Sequence, residues 1–471
     1  MPARSWLRDA PMEHDLLVIG CGAAGLAAAV AYADEVGSDA RIAVLERAPH
    51  EGRGGATRWT SSWFRITADR QLDPSFIETM GRVSGGKADL DYCRVLASEV
   101  PATFDFLDRH AVPWIYFEQP FANRNTGGGL GMPVPGGVAL VNTLTSVIDG
   151  LPNAKIHYQT EAVALSTDGN GKVTGVHVRD PAGKRHLAAH AVVIACGGFE
   201  GAPDLLRHHI GPRGIELPLI APTLANNRGD GIRLAQPLGA DLAGQFDMFH
   251  GEPVDRRSSK PDAVVYAYPF GILVNAAAQR FFDEGADSFD ATFERLGYEI
   301  WANQQQQAYL IAEKAILDWP NVANIILTDQ PAIEADTIEA LAGKLGLDAA
   351  ALVATVTGYN AAIGPGETDR RIRDGKATVG LIPPKSNWAT PIHHGPFIAY
   401  PLTCAITFTF GGLRSDARAR VVRPDGTPIV GLYAAGEVTG LYYNAYPAGT
   451  SVLRALTFGR IAAREAARAR S

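Results

Sequence analysis

The fold is decided by the stretch Asp15-Leu-Leu-Val-Ile-Gly-Cys-Gly-Ala-Ala-Gly25, which continues through an alanine-rich run to Arg41-Ile-Ala-Val-Leu-Glu46. Residues 16–19 form a short apolar run, which is typical of a strand buried on both faces. The run leads into the pattern G-x-G-x-x-G. The residues after it have the composition of a helix, and residues 41–45 read as a second buried strand. The stretch therefore predicts a strand, a tight turn, a helix and a second strand.

Each glycine of this pattern has its own task. Gly20 permits the tight turn, Gly22 lets the backbone approach a pyrophosphate, and Gly25 lets helix and strand pack closely. The helix N-terminus presents N–H groups and a partial positive charge to that pyrophosphate. Glu46 lies about 20 residues after Gly25, where a carboxylate binds a ribose hydroxyl. The pattern predicts a dinucleotide-binding unit; the alternative is a glycine-rich turn without a ligand.

Composition narrows the class of protein. A chain of 471 residues indicates two domains, or one domain with an insertion. Lys and Arg number 43 against 50 Asp and Glu, which gives a net charge of −7. No basic patch stands out, so nucleic acid is not an expected partner. The four cysteines show no C-x-x-C spacing, and we expect no metal or haem site from them: Cys21, Cys93, Cys196 and Cys404.

The N-terminal region gives no targeting signal. Residues 1–14 lack the apolar segment of a signal peptide, so we expect a cytoplasmic protein. Residues 16–33 carry no charge, and about 18 such residues approach the length of a membrane span. Three glycines within six positions favour the dinucleotide interpretation instead. We therefore expect no transmembrane segment.

The composition and the expected secondary structure change in the middle of the chain. From about residue 240 to 400 aromatic residues are more frequent, with short strands and with helices expected around 299–317 and 335–362. The earlier alternation of apolar strands and glycine-rich turns then returns. This order predicts an α/β fold, in which a doubly wound Rossmann-type domain is interrupted by an α+β capping domain that holds the substrate. The expected boundaries are 1–240 and 403–471 for the first domain and 241–402 for the cap.

Several motifs together carry a family resemblance: Ala195-Cys-Gly-Gly198, Gly229-Asp-Gly231, Gly271-Ile-Leu-Val-Asn275 with Arg280-Phe281, and Tyr433-Ala-Ala-Gly-Glu437. With the opening pattern, their order resembles the flavoprotein superfamily of fumarate reductase and succinate dehydrogenase, which includes the 3-ketosteroid dehydrogenases. Within it, Thr407-Phe-Thr-Phe-Gly-Gly-Leu413 and Tyr443-Asn-Ala-Tyr-Pro447 look most like the tricarballylate dehydrogenases. A single G-x-G-x-x-G unit indicates one cofactor of this type, and the resemblance implies that it is FAD.

The resemblance also implies which residues hold FAD. Covalent attachment is not expected, since the Gly54-Gly55 loop has no clearly matching histidine. For Asp230 a plain carboxylate at a helix start is the alternative. The implied residues for the ADP half and inner edge of FAD are Gly20, Gly22, Ala23, Ala24, Gly25, Glu46, Arg47, Gly54, Gly55, Ala56 and Thr57. The backbone of Ala162 and Val163 is expected at the adenine. The ribityl chain is expected to contact Gly197, Gly198, Asp230, Gly436 and Glu437, and the flavin ring is expected to lie over Gly449, Ser451 and Val452.

The resemblance further implies hydride transfer between a substrate carbon and the flavin, with proton transfer at the neighbouring carbon. Two charged positions of fumarate reductase are changed, because Phe408 replaces its histidine and Tyr446 its arginine. The acid arginine is also absent from residues 285–289. Tyr446 instead resembles the catalytic tyrosine of the ketosteroid and tricarballylate enzymes, and the alternative is a packing aromatic whose hydroxyl bonds to backbone. The Gly449 amide is expected to polarise a substrate carbonyl.

Further candidates are less specific. Tyr268 and Tyr400 are catalytic candidates in the cap, for which packing is the alternative role. Arg124 and His394 are candidates to pair with a substrate carboxylate, although a surface ion pair explains each equally well. Phe408 and Thr409 are expected to contact the substrate.

These features predict an FAD-dependent dehydrogenase that introduces a C=C bond beside a carboxylate or carbonyl, with tricarballylate to aconitate as the leading case. The first alternative is a desaturase or ene-reductase of a steroid-like or cyclic ketone on the same fold. A more remote alternative is a flavin-binding redox module without a substrate of its own. In every case electrons leave to a separate acceptor, which is a carrier protein, a quinone or oxygen.

Overall fold

The computed structural model describes residues 13–117 and 129–470. Its strands are β1 (His14–Ile19), β2 (Ile42–Leu45), β3 (Phe64–Ile66), β4 (Trp114–Phe117), β5 (Gly129–Pro133), β6 (Ala154–His157), β7 (Glu161–Thr167), β8 (Val173–Asp180), β9 (Gly183–Ile194), β10 (Leu242–Ala243), β11 (Phe249–Asp255), β12 (Ile272–Asn275), β13 (Ala308–Glu313), β14 (Ile333–Ala335), β15 (Phe397–Thr409), β16 (Gly412–Leu413), β17 (Arg420–Val422) and β18 (Pro428–Ala434).

The α-helices pack on both domains' sheets. They are α1 (Ala23–Val36), α2 (Phe76–Val83), α3 (Leu90–Arg109), α4 (Gly137–Asp149), α5 (Pro203–His209), α6 (Asp230–Ala235), α7 (Phe289–Asn303), α8 (Ile338–Leu345), α9 (Ala349–Ala362) and α10 (Ser451–Arg470). Among the described residues, no helix combines the length and the apolar character needed to cross a bilayer.

The central sheet of the first domain is parallel over five strands, in the order β6-β2-β1-β9-β18. Successive residues of β1 face opposite sides, so Leu16 and Val18 join one core while Leu17 and Ile19 join another. Both sides are covered, which explains why the strand is continuously apolar rather than alternating. The expected doubly wound domain is confirmed.

Helices α1 and α10 lie against each other on one face of this sheet. Gly459 makes the contact close, because a Cβ atom there would lie 2.3 Å from the carbonyl oxygen of Ala24. In the loop after β18, a Cβ on Gly436 would lie 3.0 Å from the Cβ of Ala24. The small residues at these positions bring the N-terminal ends of both helices to the same edge of the sheet.

The cap is built on an antiparallel sheet in the order β11-β15-β13-β12, with β14 also paired to β15. One face of this sheet packs on α7, and the other packs on α8 and α9. The expected α+β cap is present. The helix expected around 299–317 is wrong in its second half, because α7 ends at Asn303 and residues 308–313 form the inner strand β13. A short apolar run is compatible with either structure, and here sheet pairing decided it.

Strand β15 connects the cap to the first domain without a break. Its first residue belongs to a cap core, and Phe408 near its end belongs to the core of the first domain. The boundary expected between residues 402 and 403 therefore falls within this strand. Its length carries Thr407 and Phe408 from the cap sheet directly to the edge of the parallel sheet.

Candidate active site

A deep cleft opens at the carboxyl ends of β1, β2 and β9. It contains about 1200 Å³ of empty space, part of which is open to solvent. The first turns of α1 and α10 and the loops after β2 and β9 form its walls. Of the residues expected from the sequence, those that line the cleft are Gly20, Gly22, Ala23, Ala24, Glu46, Arg47, Gly54, Gly55, Ala56, Thr57, Ala162, Gly197, Asp230, Phe408, Gly436, Glu437, Ser451 and Val452.

The N-terminus of α1 points into one end of the cleft. The helix starts after Gly22 without a side-chain cap, and the Ala23 amide donates to Oγ1 of Thr57 at 3.1 Å. A Cβ on Gly22 would meet no atom closer than 3.6 Å, so the space in front of it is open. A Cβ on Gly25 would lie 2.0 Å from the carbonyl oxygen of Gly20. Gly22 thus faces the cleft, whereas Gly25 is required for packing.

Glu46 directly follows β2 and lines the cleft near the N-terminus of α1. Its Oε1 accepts a hydrogen bond from the Ala48 amide at 2.8 Å, and the residue is 8% exposed. Burial raises the pKa of Glu46, and the backbone amides of Ala48, Gly54 and Cys21 oppose that rise. The carboxylate is therefore held in a fixed orientation at the cleft wall.

Arg47 organises the next part of the wall. Its guanidinium lies 2.7 Å from Asp230 Oδ2 and 2.9 Å from Glu161 Oε1, and it donates to the carbonyl oxygen of Asn226 at 2.9 Å. Asp230 starts α6 and lines the cleft, so the contact with FAD expected from the sequence stays a prediction beside its role at the helix start. This ion-pair group joins the loop after β2 to the loop before α6.

Glu437 lies in the middle of the cleft. Its Oε1 accepts a hydrogen bond from the Thr409 amide at 2.9 Å, and a Cβ on Gly198 would clash with the same carboxylate. Thr409 and Gly198 therefore hold Glu437 and do not line the cleft themselves. Burial raises the pKa of Glu437, and burial together with the charge of Glu437 raises the pKa of neighbouring Glu200 well above its ordinary value.

Tyr446 does not line the cleft itself; it lies beside the N-terminus of α10, next to Ser451 and Phe408, which do line it. Its hydroxyl oxygen accepts hydrogen bonds from the amides of Thr450 and Ser451, both at 2.8 Å, and its proton points to Oγ of Ser451 at 3.1 Å. Helix N-terminal amides stabilise negative charge on an oxygen in this position. Gly449 has a φ of +77°, and its carbonyl oxygen accepts from the Arg65 amide at 2.7 Å.

Three buried polar atoms of the cleft wall have no hydrogen-bond partner within residues 13–117 and 129–470. They are Oγ1 of Thr407, Oγ1 of Thr223 and Nε of Arg454. Buried polar atoms in proteins are nearly always paired, so these atoms indicate a polar ligand in the cleft. The sequence analysis missed all three as ligand contacts, since none belongs to the glycine pattern.

Residues 15–453 match the protein family described as "FAD binding domain". The chain belongs to this family. The open helix N-terminus at Gly22, the carboxylate of Glu46 and the three unpaired polar atoms fit a ligand with a pyrophosphate, riboses and a polar ring, as FAD has. The FAD-binding domain expected from the sequence is therefore confirmed.

Relatives of this FAD-binding chain include dehydrogenases of ketones. The 4-oxocyclohexanecarboxylate 2-dehydrogenase of Sinomonas cyclohexanicum is 32% identical over 316 residues, which cover 63% of this chain and 54% of that protein. The 3-oxosteroid 1-dehydrogenase of Mycobacterium tuberculosis is 30% identical over 324 residues, which cover 62% and 56%. The structure of a 3-ketosteroid-Δ4-(5α)-dehydrogenase from Rhodococcus jostii is 27% identical, with a TM-score of 0.74 and 98% of each chain covered.

These similarities confirm the relationship to the 3-ketosteroid dehydrogenases. The chain spans between about a third and just over half of the length of the first curated relatives that it matches. The finer resemblance to tricarballylate dehydrogenases stays a prediction.

Several expected site residues lie away from the FAD cleft. Tyr268 is fully buried in the cap, where its hydroxyl bonds to Oγ1 of Thr292 at 2.6 Å and to the Phe289 carbonyl at 3.1 Å. Burial raises the pKa of Tyr268 far above its ordinary value. Tyr400 packs within the cap with its ring under Arg257. Neither tyrosine is brought to the cleft.

Two more expectations fall outside the cleft. The His394 amide binds Glu313 on the exposed edge of the cap. Val163 is 38% exposed, while its neighbour Ala162 lines the cleft. The alternation of strand residues explains this difference, since successive side chains point to opposite faces. Arg124 lies outside the described residues.

The cap instead contributes a buried group that the sequence analysis missed. His250 Nδ1 lies 2.6 Å from Glu294 Oε2, and His250 Nε2 lies 3.0 Å from Glu252 Oε1. We call these three residues the buried triad. Glu294 Oε1 also accepts the Tyr446 amide at 2.8 Å. The spacing of His250 and Glu252 on one strand was the available signal, but Glu294 comes from a separate helix. Within the described ranges, no group of three or more His, Cys, Asp or Glu side chains is arranged to hold a metal ion.

The unpaired hydroxyl of Thr407 yields a prediction. We expect Thr407→Val to weaken FAD binding about fivefold, which corresponds to about 1 kcal/mol for one hydrogen bond. The stability of the FAD-free protein should stay equal or rise, because a buried unpaired hydroxyl is removed. Fluorescence titration of FAD-free protein with FAD measures the affinity, and thermal unfolding measures the stability.

Thr403→Val is the matched control on the same strand. Its hydroxyl donates to Gln306 Oε1 at 3.0 Å inside the cap, so this change should lower stability and leave FAD affinity unchanged. Equal FAD affinity of Thr407→Val and the wild type would remove Thr407 from the FAD site.

Proposed function

We propose that this chain is an FAD-dependent oxidoreductase acting on CH–CH bonds, which forms or reduces a C=C bond beside the carbonyl of a cyclic ketone. The observation that carries this proposal is the setting of Tyr446, whose hydroxyl is fixed by two helix amides beside the cleft. The relationship to dehydrogenases of ketones supports it.

The chemistry divides between the cofactor and the chain. FAD, when bound, supplies the acceptor or donor of a hydride. In the direction of desaturation, the substrate loses this hydride from one carbon and a proton from the neighbouring carbon, and the two carbons become doubly bonded. Tyr446 receives the proton, because its oxygen is the group that the amides of Thr450 and Ser451 prepare for negative charge. In reduction the same residue returns the proton.

The charges around Tyr446 favour a ketone over a polycarboxylate. The rings of His250, Phe408 and Tyr442 lie 4.8–5.0 Å from the Tyr446 ring, so its surroundings are aromatic. The buried triad adds two carboxylates against one imidazole, and carboxylates repel an anionic substrate.

The two buried arginines of this region already have protein partners. Arg65 binds Asp73 at 2.9 Å, and Arg454 donates to the backbone carbonyls of Thr439 and Gly436. The polycarboxylate hypothesis, with tricarballylate as its leading case, therefore depends on Arg124 and becomes the second candidate.

A panel of substrates distinguishes these hypotheses. Under argon, the FAD absorbance should bleach with a cyclic ketone such as 4-oxocyclohexanecarboxylate or a 3-ketosteroid. Tricarballylate and succinate should leave the absorbance unchanged. Bleaching by tricarballylate alone would restore the polycarboxylate hypothesis. If no compound bleaches the oxidised enzyme or reoxidises the dithionite-reduced enzyme, a redox module without its own substrate is the better description. Electrons leave to a separate acceptor, which the same assay identifies by adding quinone, oxygen or a carrier protein.

We also propose that FAD is held without a covalent bond. His50 is the histidine nearest in sequence to the Gly54-Gly55 loop, and its ring is exposed and packs edge-on against Tyr158. His50 does not line the cleft. Acid precipitation should release all of the yellow colour into the supernatant, and a yellow pellet would contradict this proposal.

The role of Tyr446 is tested by removing only its hydroxyl. We expect Tyr446→Phe to keep FAD and the fold, because the ring still packs, and to slow FAD bleaching by substrate about a hundredfold to ten-thousandfold, which is the usual cost of losing a general base. Rapid mixing without oxygen measures this rate.

Tyr442→Phe is the matched control for this change. Tyr442 contacts the Tyr446 ring, and its hydroxyl reaches Thr450 Oγ1 at 3.3 Å, but it does not bind the helix amides. Its rate should stay close to that of the wild type. A Tyr446→Phe variant as fast as Tyr442→Phe would assign proton transfer to another group.

A further inference from the structure

A continuous chain of hydrogen bonds runs from Tyr446 into the cap. The Tyr446 amide donates to Glu294 Oε1, and the other carboxylate oxygen of Glu294 lies 2.6 Å from His250 Nδ1. His250 Nε2 then lies 3.0 Å from Glu252, whose second oxygen accepts the Tyr266 hydroxyl at 3.1 Å. The four cap members are nearly inaccessible to solvent, with His250 at 2% exposure, whereas Tyr446 is half-buried.

The geometry suits a doubly protonated imidazole. Both ring nitrogens of His250 face carboxyl oxygens, which act only as acceptors when they are ionised, so a doubly protonated ring can donate to both. Burial alone lowers the pKa of His250, but the hydrogen bonds and charges of Glu252 and Glu294 outweigh it and raise the pKa to about 9. Burial raises the pKa of Glu294, although His250 and the Tyr446 amide oppose that rise. The triad is thus an imidazolium between two carboxylates.

The triad joins two domains at the tyrosine. Glu294 belongs to α7 and His250 to β11, both in the cap, whereas Tyr446 precedes α10 of the FAD-binding domain. The His250 ring also contacts the rings of Phe408 and Tyr446, each at 4.8 Å between centroids. The cap therefore holds the backbone of Tyr446 from one side, while the helix amides hold its hydroxyl from the other.

We propose that Glu294 and His250 are positioning residues for Tyr446, and that the imidazolium of His250 keeps the Glu294 carboxylate aimed at the Tyr446 amide. Without the imidazolium, two carboxylates face each other without compensation in a buried site, and the hydrogen bond that fixes Tyr446 is lost. This inference rests on the proposed function for the role of Tyr446.

The proposal predicts a loss at high pH. The pKa of His250 in the folded protein exceeds its ordinary value of 6.5, so its stabilising contribution is complete below about pH 6.5 and is lost as pH rises through about 9. Burial raises the pKa of Tyr266 and Cys404 further above their ordinary values, so both remain protonated over this range, and burial with the charge of Glu252 also raises the pKa of Asp262. Among the described residues, the titratable groups in contact with His250 are Glu252, Glu294 and Tyr446. Tyr266, Asp262 and Cys404 interact with the two carboxylates of the triad.

The first experiment measures catalysis in the holoenzyme. We expect Glu294→Gln to lower the maximal rate of FAD bleaching by ketone about a hundredfold, as for a misplaced catalytic group, with little change in KM. Above pH 9 the wild-type rate should fall, and His250→Gln should lack this fall.

Glu284→Gln is the matched control for loss of a buried cap carboxylate. Glu284 is fully buried, pairs with Arg280 at 2.5 Å, and accepts the Leu273 amide at 2.7 Å. This variant should lose stability but keep the wild-type rate and pH profile. Equal losses in Glu284→Gln and Glu294→Gln would overturn the positioning role.

The second experiment needs no substrate. The difference in Tm between wild type and His250→Gln should be largest near pH 6 and should shrink towards pH 10, and the same shrinkage should occur in the Tyr446→Phe background. A constant difference would overturn the proposal. If no ketone bleaches FAD and no unsaturated ketone reoxidises the reduced enzyme, the proposed function fails, and this second experiment alone decides the triad.

A third measurement covers variants that do not fold. The histidine ¹⁵N spectrum of the wild type at pH 8 should show one imidazole with both nitrogens protonated. The signals of this doubly protonated ring should disappear above about pH 9. A wild-type spectrum in which every histidine is neutral at pH 8 would overturn the proposal.

Discussion

The close contact between α1 and α10 is the constraint on which the site depends. Gly459 lets the backbones of the two helices approach, because any Cβ there would collide with the Ala24 carbonyl. As a result both helices begin at the same edge of the parallel sheet, one at Ala23 and the other at Ser451. The N-terminus of α1 is then free to hold the pyrophosphate of FAD, and the amides at the start of α10 bind the Tyr446 hydroxyl beside the cleft.

Strand β15 determines how the cap meets this cleft. It pairs with β11, β13 and β14 in the cap and ends at Thr409, whose amide holds Glu437. The register with β11 sets His250 opposite Phe408, so the cap histidine and the cleft aromatic lie side by side. One strand thus aligns the cofactor contacts of the FAD-binding domain with the buried triad of the cap.

The electrostatics of the site distinguish its two ends. At the Arg47 end, an arginine with the carboxylates of Asp230 and Glu161 forms a polar wall. At the Tyr446 end the surroundings are aromatic, and the nearby charges belong to the triad and to Arg65 and Arg454, which have protein partners. A substrate with a carbonyl and an apolar ring suits the second environment better than one with several carboxylates. This contrast is the physical basis for preferring a ketone.

The sequence by itself determined the FAD-binding half of this protein, because its glycines and acid act within one local strand–turn–helix unit. Gly20, Gly22, Gly25 and Glu46 could be assigned from spacing alone, and the family motifs added Ser451 and Glu437. Only the tertiary structure decided which polar groups complete the site. Thr409 and Gly198 turn out to hold Glu437, and Thr407, Thr223 and Arg454 supply unpaired atoms to the cleft. The triad could not be predicted from the sequence, because His250, Glu294 and Tyr446 are far apart in the chain. Only the tertiary packing of the strand, the helix and the loop that carry them brings them together.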